Sequence, residues 1–347
     1  MNIIYENILS NGSIIASPTK DPDYNFHWVR DSAIIINSLI ENYNDNNKQK
    51  YLTIFENYID IELKHIEYHA AEPKFYIDGK PFLGEWGRPQ NDGPALRGIV
   101  CLKLITIVPF RLSSLLKIIN NDLKYTIENL NKPCYDLWEE IFGYHLYTRI
   151  IQYVFLCRAN EDKYKLIDYE SIIIENAYKN VCDHFSKHSD TIFSSYTKEG
   201  LVLREYDSSI LLAFSFLNYD IPKLSIYADK IGLHISKMIE KFNDLYPINK
   251  QLNIPFLGRY VNDKYFNGNP WIISTIALFN YLYTMDKLDN YKEEFKNFLE
   301  FLKLDKQMIL SEQINKKNGK NISVEKLTWN YAELYVFNSK KELVLLS

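Results

Sequence analysis

The sequence predicts an all-α fold built from antiparallel pairs of helices, and three observations support this prediction. Apolar residues recur every three or four positions through most of the 347 residues, as they do along one face of an α-helix. One hairpin is predicted, at residues 75–82, with Asp78-Gly79 supplying the tight turn. No Gly-Ser-rich or Pro-rich linker divides the chain. We therefore expect one domain over residues 1–347 in which helices pack on helices.

The periodic segments predict eleven helices. Residues 48–70 illustrate the pattern, because Leu52, Phe55, Ile59 and Leu63 follow one another at intervals of three or four and form an apolar stripe. In chain order, the predicted helices cover residues 28–45, 48–70, 93–108, 110–130, 144–159, 168–187, 207–218, 221–243, 270–286, 288–303 and 326–338.

Composition narrows the function. The net charge is -4 and the basic residues are scattered, which argues against a nucleic-acid partner. The longest apolar run, residues 98–112, is too short to span a membrane and contains Lys103 and Arg111. The N-terminus lacks the pattern of a secretory signal. We expect a soluble protein of the cytoplasm, whose four cysteines pack as small apolar residues: Cys101, Cys134, Cys157 and Cys182.

Polar segments that contain glycine and tryptophan separate the predicted helices. In a ring of helix pairs, such connections gather at one end and can form a pocket, and loops on a rigid scaffold commonly carry function. These segments are residues 21–31, 84–97, 134–143, 258–271 and 311–329.

The third of these loops sets three carboxylates, Asp136, Glu139 and Glu140, around Trp138. Cleavage of a glycosidic bond needs a carboxylic acid to protonate the departing oxygen and an aromatic face for the sugar ring. Burial and neighbouring negative charge can raise a carboxyl pKa enough to keep the acid protonated near neutral pH. The alternative is an acidic turn at the start of a helix, where the helix dipole favours negative charge.

The first two loops add candidate sugar contacts. Adjacent Arg30 and Asp31 offer a donor and an acceptor to hydroxyl groups on neighbouring sugar carbons, or else they form a local ion pair that caps a helix. Trp86 can stack on a sugar, and Asp92 is a candidate cap for the helix that follows it. His27 has no partner at metal-ligand spacing, so we interpret it as a packed or exposed histidine.

With these loops in view, the chain resembles the glucoamylase family of inverting glycoside hydrolases. The matching blocks occur in the family's order and span nearly the whole chain: Ala16-Ser17-Pro18, residues 28–32, residues 86–97, residues 135–140, Gly258-Arg259-Tyr260, residues 265–271, Ser311-Glu312-Gln313 and residues 327–332. The resemblance implies an (α/α)6 barrel with its active site in the inter-helix loops. It also implies release of β-glucose from the non-reducing ends of α-1,4-linked glucans, such as starch or glycogen.

The resemblance assigns roles residue by residue. Glu139 is the expected general acid, and Glu312, in the Ser-Glu-Gln block, is the expected general base. Glu140 is expected to bind the leaving-side sugar, and Arg30 and Asp31 the terminal glucose. The other expected substrate contacts are Tyr24, Trp86, Asp136, Trp138, Arg259 and Trp271.

The resemblance implies neither a metal nor another cofactor, and we expect a compact member without an appended starch-binding module. Two alternatives stay open. One is a catalytically impaired module that binds glucan or regulates a partner. The other is a scaffold unrelated to carbohydrate, which would be favoured if side chains filled the pocket.

Overall fold

The computed structural model describes residues 2–161, 163, 166, 172–187, 189–303 and 309–341. Helices dominate this part of the chain, and the predicted all-α class is confirmed. The α-helices are α1 Asn2–Glu6, α2 Val29–Glu41, α3 Lys48–His65, α4 Asp92–Ile107, α5 Leu112–Asn129, α6 Leu146–Ala159, α7 Ile172–Cys182, α8 Ser209–Phe216, α9 Ala228–Leu245, α10 Pro247–Leu252, α11 Ile272–Thr284, α12 Lys292–Lys303 and α13 Thr328–Lys341.

Six of these helices form a closed inner ring. Helix α2 contacts α4, α4 contacts α6, and the contacts continue through α8, α11 and α13 back to α2. The inner helices are buried on nearly every side, since they meet both the ring's centre and the outer layer; all eight residues of α8 are buried. This ring is the (α/α)6 architecture that the resemblance implies.

The outer helices alternate with the inner ones along the chain and carry one apolar face each. In α9, for example, Ile231, Ile235, Met238 and Phe242 are buried at helical spacing. The exposed residues among them are Leu233, Ser236, Glu240 and Lys241. Outer helices pack beside their chain neighbours, as α5 does on α4 and α7 on α6.

Short antiparallel strands lie in the connections that precede inner helices. They form three small sheets, with β1 paired to β2, β3 to β6 in sequential order, and β7 paired to β8. Since β1, β4 and β6 lead into α2, α6 and α8, these connections gather at one end of the ring. The strands are β1 His27–Trp28, β2 Lys74–Phe75, β3 Cys134–Tyr135, β4 Phe142–His145, β5 Ser195–Tyr196, β6 Val202–Arg204, β7 Gln313–Ile314 and β8 Asn321–Ile322.

Each of the eleven predicted helices has a counterpart, in the predicted order, among the thirteen α-helices of the described residues, but some ends differ. Residues 66–70 lie beyond the end of α3, and a 3₁₀ turn at Leu224–Tyr227 precedes α9. The helix predicted at residues 168–187 corresponds to α7, which covers Ile172–Cys182. Residues 168–171 lie outside the described residues. Helices α1 and α10 were not predicted, because five or six residues are too few to show helical periodicity.

The turn predicted at residues 75–82 is present. The Tyr76 N–H donates to the Lys80 carbonyl over 2.8 Å, and Gly79 has a φ of 86°. Of the Asp78-Gly79 pair, only the glycine takes a positive φ. The strand at its start pairs with β1, in the register Trp28 opposite Lys74.

All four cysteines are free thiols, two of them buried and two half-buried, as expected for small packed side chains. Among the described residues, no helix combines the length and the apolar character that a membrane crossing requires.

Candidate active site

The connections converge on an open cavity of about 760 Å³ at the end of the ring where the inner helices begin. Its lining contains ten of the eleven predicted site residues: Tyr24, Arg30, Asp31, Trp86, Trp138, Glu139, Glu140, Arg259, Trp271 and Glu312. Asp136 is the exception; it is buried behind the wall. Side chains do not fill the cavity. This observation argues against the alternative of a scaffold unrelated to carbohydrate, which a filled pocket would have favoured.

Glu139 lies in the tight loop that joins β3 to β4. One carboxylate oxygen of Asp136 accepts hydrogen bonds from the backbone N–H groups of Glu140 (2.8 Å) and Ile141 (2.9 Å), which closes the loop. The backbone of Glu139 has a φ of 63°, a left-handed conformation that residues other than glycine rarely adopt. Asp136 therefore shapes the loop that presents Glu139, and it does not line the cavity itself.

Three donors from two other loops hold the Glu139 carboxylate. The Trp28 indole N–H (3.0 Å), the Gln90 amide (2.9 Å) and an Arg30 Nη2 (3.3 Å) all reach Oε1. The side chain remains 19% exposed at the cavity wall. Because the donors share Oε1, Oε2 is the oxygen best placed to carry a transferable proton.

Arg30 and Asp31 both lie in the first turn of α2, but they do not form the local ion pair considered above. Arg30 Nη1 donates to Asp92 Oδ2 over 2.6 Å, and the carboxylates of Asp92 and Glu139 raise the pKa of the guanidinium against the effect of burial. Asp92 is thus an ion-pair partner and not the predicted helix cap; α4 begins with this residue. Burial raises the pKa of Asp31 to about 7, although Arg30 opposes the shift.

Two arginines hold the neighbouring Glu140. Arg204 Nη2 donates to its Oε2 over 2.6 Å, and Arg259 Nη2 donates to its Oε1 over 2.7 Å. Arg204 also pairs with the buried Asp136, and Arg259 makes two bonds to Asp263, of 2.8 and 2.7 Å. Arginines therefore neutralise the charges of two carboxylates in this loop, Asp136 and Glu140. The third carboxylate, Glu139, faces the cavity.

Aromatic rings form the walls. The rings of Trp138 and Trp271 meet edge to face with centroids 5.4 Å apart. Trp138 is fixed further by its indole N–H, which lies 3.0 Å from Asp207 Oδ1. Trp86, 36% exposed, stands at the mouth. Such faces suit the apolar side of a sugar ring.

Glu312 lies in the connection between α12 and α13 and is only 1% exposed. Its carboxylate accepts hydrogen bonds from Tyr24 Oη (2.9 Å), the Gln313 amide (2.9 Å) and the Ser323 hydroxyl (2.5 Å). Burial raises its pKa above the ordinary value, and these three hydrogen bonds oppose the increase. The positive charge of Arg259 also opposes the increase in the pKa of Glu312.

The sequence-based prediction missed several residues of the site. Trp28 and Gln90 both donate to Glu139 and lie inside the matching blocks. Their membership of these blocks could therefore have marked them as site residues. Lys74 and Arg204 lie outside every block, in β2 and β6, and only the folded chain brings them to the cavity and to Glu140. No local pattern marks either of them.

Behind the first loop lies a buried ionic network. His27 accepts a backbone N–H from Ile14 at Nδ1 (3.1 Å), so in the neutral ring Nε2 carries the proton and donates to Glu62 Oε1 over 3.0 Å. Arg97 donates to the other oxygen of Glu62 over 2.9 Å, and His65 lies 3.4 Å from it. The protonated Nε2 and the guanidinium disfavour a metal ion here, although three candidate ligands, His27, Glu62 and His65, lie close together. Of the two alternatives predicted for His27, packed or exposed, the structure shows the packed one.

The model of the family described as Glycosyl hydrolases family 15 matches residues 2–303. The match thus includes four of the five loops and ends before Glu312. Glucoamylase-1 of Arthroderma benhamiae is 28% identical over 415 aligned residues, which cover 96% of this chain and 65% of that protein. The chain therefore spans less than two thirds of the length of this relative.

Two solved structures share the fold. The family 15 glucoamylase from Hypocrea jecorina gives a TM-score of 0.81 at 24% identity and covers 98% of this chain and 70% of its own. The glucoamylase from Saccharomycopsis fibuligera gives a TM-score of 0.80 at 22% identity, with 98% of this chain and 93% of that chain covered. At these identities the likeness supports the architecture of the ring.

Proposed function

The chain belongs to glycosyl hydrolase family 15, and from this membership we propose that it releases glucose from the non-reducing ends of α-1,4-glucans with inversion of configuration. The observation that carries the proposal is that Glu139 and Glu312, which lie far apart in the chain, line the same cavity. Inverting hydrolysis needs two carboxyl groups that flank the scissile bond.

In the proposed reaction, Glu139 is the general acid. Its proton passes to the glycosidic oxygen as the bond from that oxygen to C1 of the terminal glucose breaks. The departing glucan thereby gains a hydroxyl group, and Glu139 is left as a carboxylate. The three donors at Oε1 stabilise this carboxylate as it forms.

Glu312 is the general base. It takes a proton from a water molecule whose oxygen attacks C1 from the face opposite the leaving group, which yields β-glucose. The raised pKa of this buried carboxylate makes it a stronger base than an exposed glutamate. Proton exchange with solvent then restores both groups.

The remaining predicted residues hold the substrate. Asp31 and Arg30, which line the cavity, suit the hydroxyl groups of the terminal glucose. Glu140, fixed by Arg204 and Arg259, suits the next sugar, and the indole rings suit the apolar faces. The partner is thus an α-glucan, and residues 1–347 act as one catalytic domain. The free thiols support a reducing compartment, and a location in the cytoplasm stays a prediction.

The proposal is tested by incubating purified protein with maltoheptaose and following the glucose anomers by NMR. We expect β-glucose first, and a loss of rate of ~10²–10⁴-fold in each of Glu139→Gln and Glu312→Gln. Glu41→Gln is the matched control, because Glu41 lies at the far end of α2 and pairs with Lys103. Folded wild-type protein that releases no glucose above a blank would reject the hydrolase.

The same samples test the impaired-binder alternative. If the wild type is inactive but acarbose raises its Tm, and Asp31→Ala removes that shift, the chain binds glucan without cleaving it. If acarbose does not raise the Tm and no glucose is released, both the hydrolase proposal and the glucan-binding alternative are wrong.

A further inference from the structure

Lys74 lies in a box of four aromatic rings beside the proposed general acid. Its Nζ is 3.7 Å from the centroid of the Trp86 ring, 4.0 Å from Phe26, 4.4 Å from Phe82 and 4.5 Å from Trp28. The residue is 3% exposed and contributes to the cavity lining. A cation over several ring faces is attracted by their quadrupoles, most strongly where water is excluded.

The ammonium has no carboxylate within 4.0 Å among the described residues. Glu139 and Asp23 favour its charge from a greater distance, and Arg88 opposes it. Burial lowers the pKa of Lys74 to about 8, so the side chain is still largely protonated at neutral pH. The rings therefore replace the water and the counter-ion that an exposed lysine would have.

The four rings come from the two connections whose residues hold Glu139. Phe26 and Trp28 precede α2, and Phe82 and Trp86 precede α4. The Trp28 indole donates to Glu139 Oε1, and Trp28 and Trp86 also contact each other, with centroids 6.0 Å apart. Lys74 thus lies at the junction of both loops.

We propose that Lys74 is a positioning residue for the general acid. Its caged ammonium holds the Trp28 indole in the orientation that donates to Glu139, and it places a positive charge beside the carboxylate that forms in the reaction. This inference rests on the proposed function. Packing alone does not account for the lysine, since methionine would fill the same box without the cost of burying a charge.

The test compares Lys74→Met with Lys74→Arg, using maltoheptaose hydrolysis from pH 4 to pH 9. In Lys74→Met we expect kcat to fall about tenfold or more while KM changes less than about threefold, because the loss concerns the carboxylate formed in the transition state. Glu139 is also faced by Arg30 and Asp31, which both variants retain. Removal of one cation favours the protonated acid, so the alkaline limb of the profile should move to higher pH. In Lys74→Arg, which keeps the positive charge, the alkaline limb should return to its wild-type position.

Lys50→Met is the control, since it removes a lysine that covers the ring of Tyr5 on an exposed surface. It should leave kcat and the profile unchanged. If active Lys74→Met matches the wild type in kcat and in its alkaline limb, the positioning role is wrong.

If Lys74→Met does not fold, as judged by its thermal melt, Phe82→Leu replaces it. This change removes one ring of the box and keeps the lysine. A kcat that falls with little change in KM supports the proposal, and an unchanged kcat overturns it. Wild-type protein that releases no glucose would instead reject the proposed function, and the role of Lys74 with it.

Discussion

Tyr24 Oη donates a hydrogen bond of 2.9 Å to Glu312 Oε1, across 288 positions of the chain. Gln313 and Ser323 donate to the other oxygen of the same carboxylate. A carboxylate with three donors can stay ionised although solvent does not reach it. The proposed base is therefore stabilised jointly by the first and the last of the connecting loops.

We predict that Tyr24→Phe lowers kcat by about 10- to 100-fold, since a hydrogen bond to a charged group contributes ~1.5–3 kcal/mol. The Tyr24 bond lowers the pKa of Glu312, so its loss raises that pKa. Because a base must be ionised, the acidic limb of the kcat profile should move to higher pH. Kinetics between pH 3 and pH 8 measure both effects.

Tyr5→Phe is the control for this variant. Its hydroxyl bonds to that of Tyr51 at 2.9 Å, away from the cavity lining, so kcat should stay as in the wild type. An unshifted acidic limb in Tyr24→Phe would show that the hydrogen bond does not act on the base.

We predict that Asp31→Asn stabilises the protein at high pH and weakens its binding of sugar. Burial raises the pKa of Asp31 from 3.8 to about 7, so between these values the native state holds a proton that the unfolded chain has released. Stability therefore falls as pH rises through this window, and the penalty is complete above it. Asparagine cannot ionise, which removes the penalty: ~4 kcal/mol at most. Tm should rise in the variant at pH 8 and barely change at pH 4.

The same substitution tests how Asp31 binds sugar. An ionised carboxylate accepts hydroxyl hydrogen bonds more strongly than a neutral acid or amide. Acarbose affinity of the wild type should therefore increase as pH rises through about 7, and that of Asp31→Asn should be lower and flatter. Calorimetric titrations that show equal pH dependence in both proteins would contradict this role.

We predict that Arg204→Met destabilises the fold. The guanidinium pairs with Asp136 and Glu140 and lies 3.5 Å from Asp207, and all but Glu140 are buried. Its removal leaves buried carboxylates without a partner, which costs ~3–5 kcal/mol. The expected result is a clear fall in Tm, partly recovered by adding Asp136→Asn.

Arg111→Met serves as the comparison for this loss. Arg111 pairs with Asp60, which is 56% exposed, and such surface pairs contribute ~1 kcal/mol or less. Equal melting temperatures for Arg204→Met and Arg111→Met would mean that Arg204 does not stabilise the loop that carries Glu139.

How much was predictable from sequence depended on the range of the interactions. The order of the helices followed from apolar spacing, and the resemblance named ten residues that line the cavity. The two short helices and the ends of the long ones were missed, because one or two turns have no measurable period. Asp136 was expected to contact substrate, but its position behind the wall depends on Arg204, which no motif marked.

The sequence by itself determined the helical class, the loops that carry the chemistry and the types of residue available there, because local spacing and motif order depend only on neighbours along the chain. The tertiary structure alone decided the partners: Arg30 with Asp92, Tyr24 with Glu312, and Lys74 within its four rings. Tyr24 meets Glu312 only when α13 packs on α2 and the ring closes, whereas the other two contacts form where α2 packs beside α4. Burial and charge pairing, which set the pKa of Asp31 and of Glu312, arise from that closure.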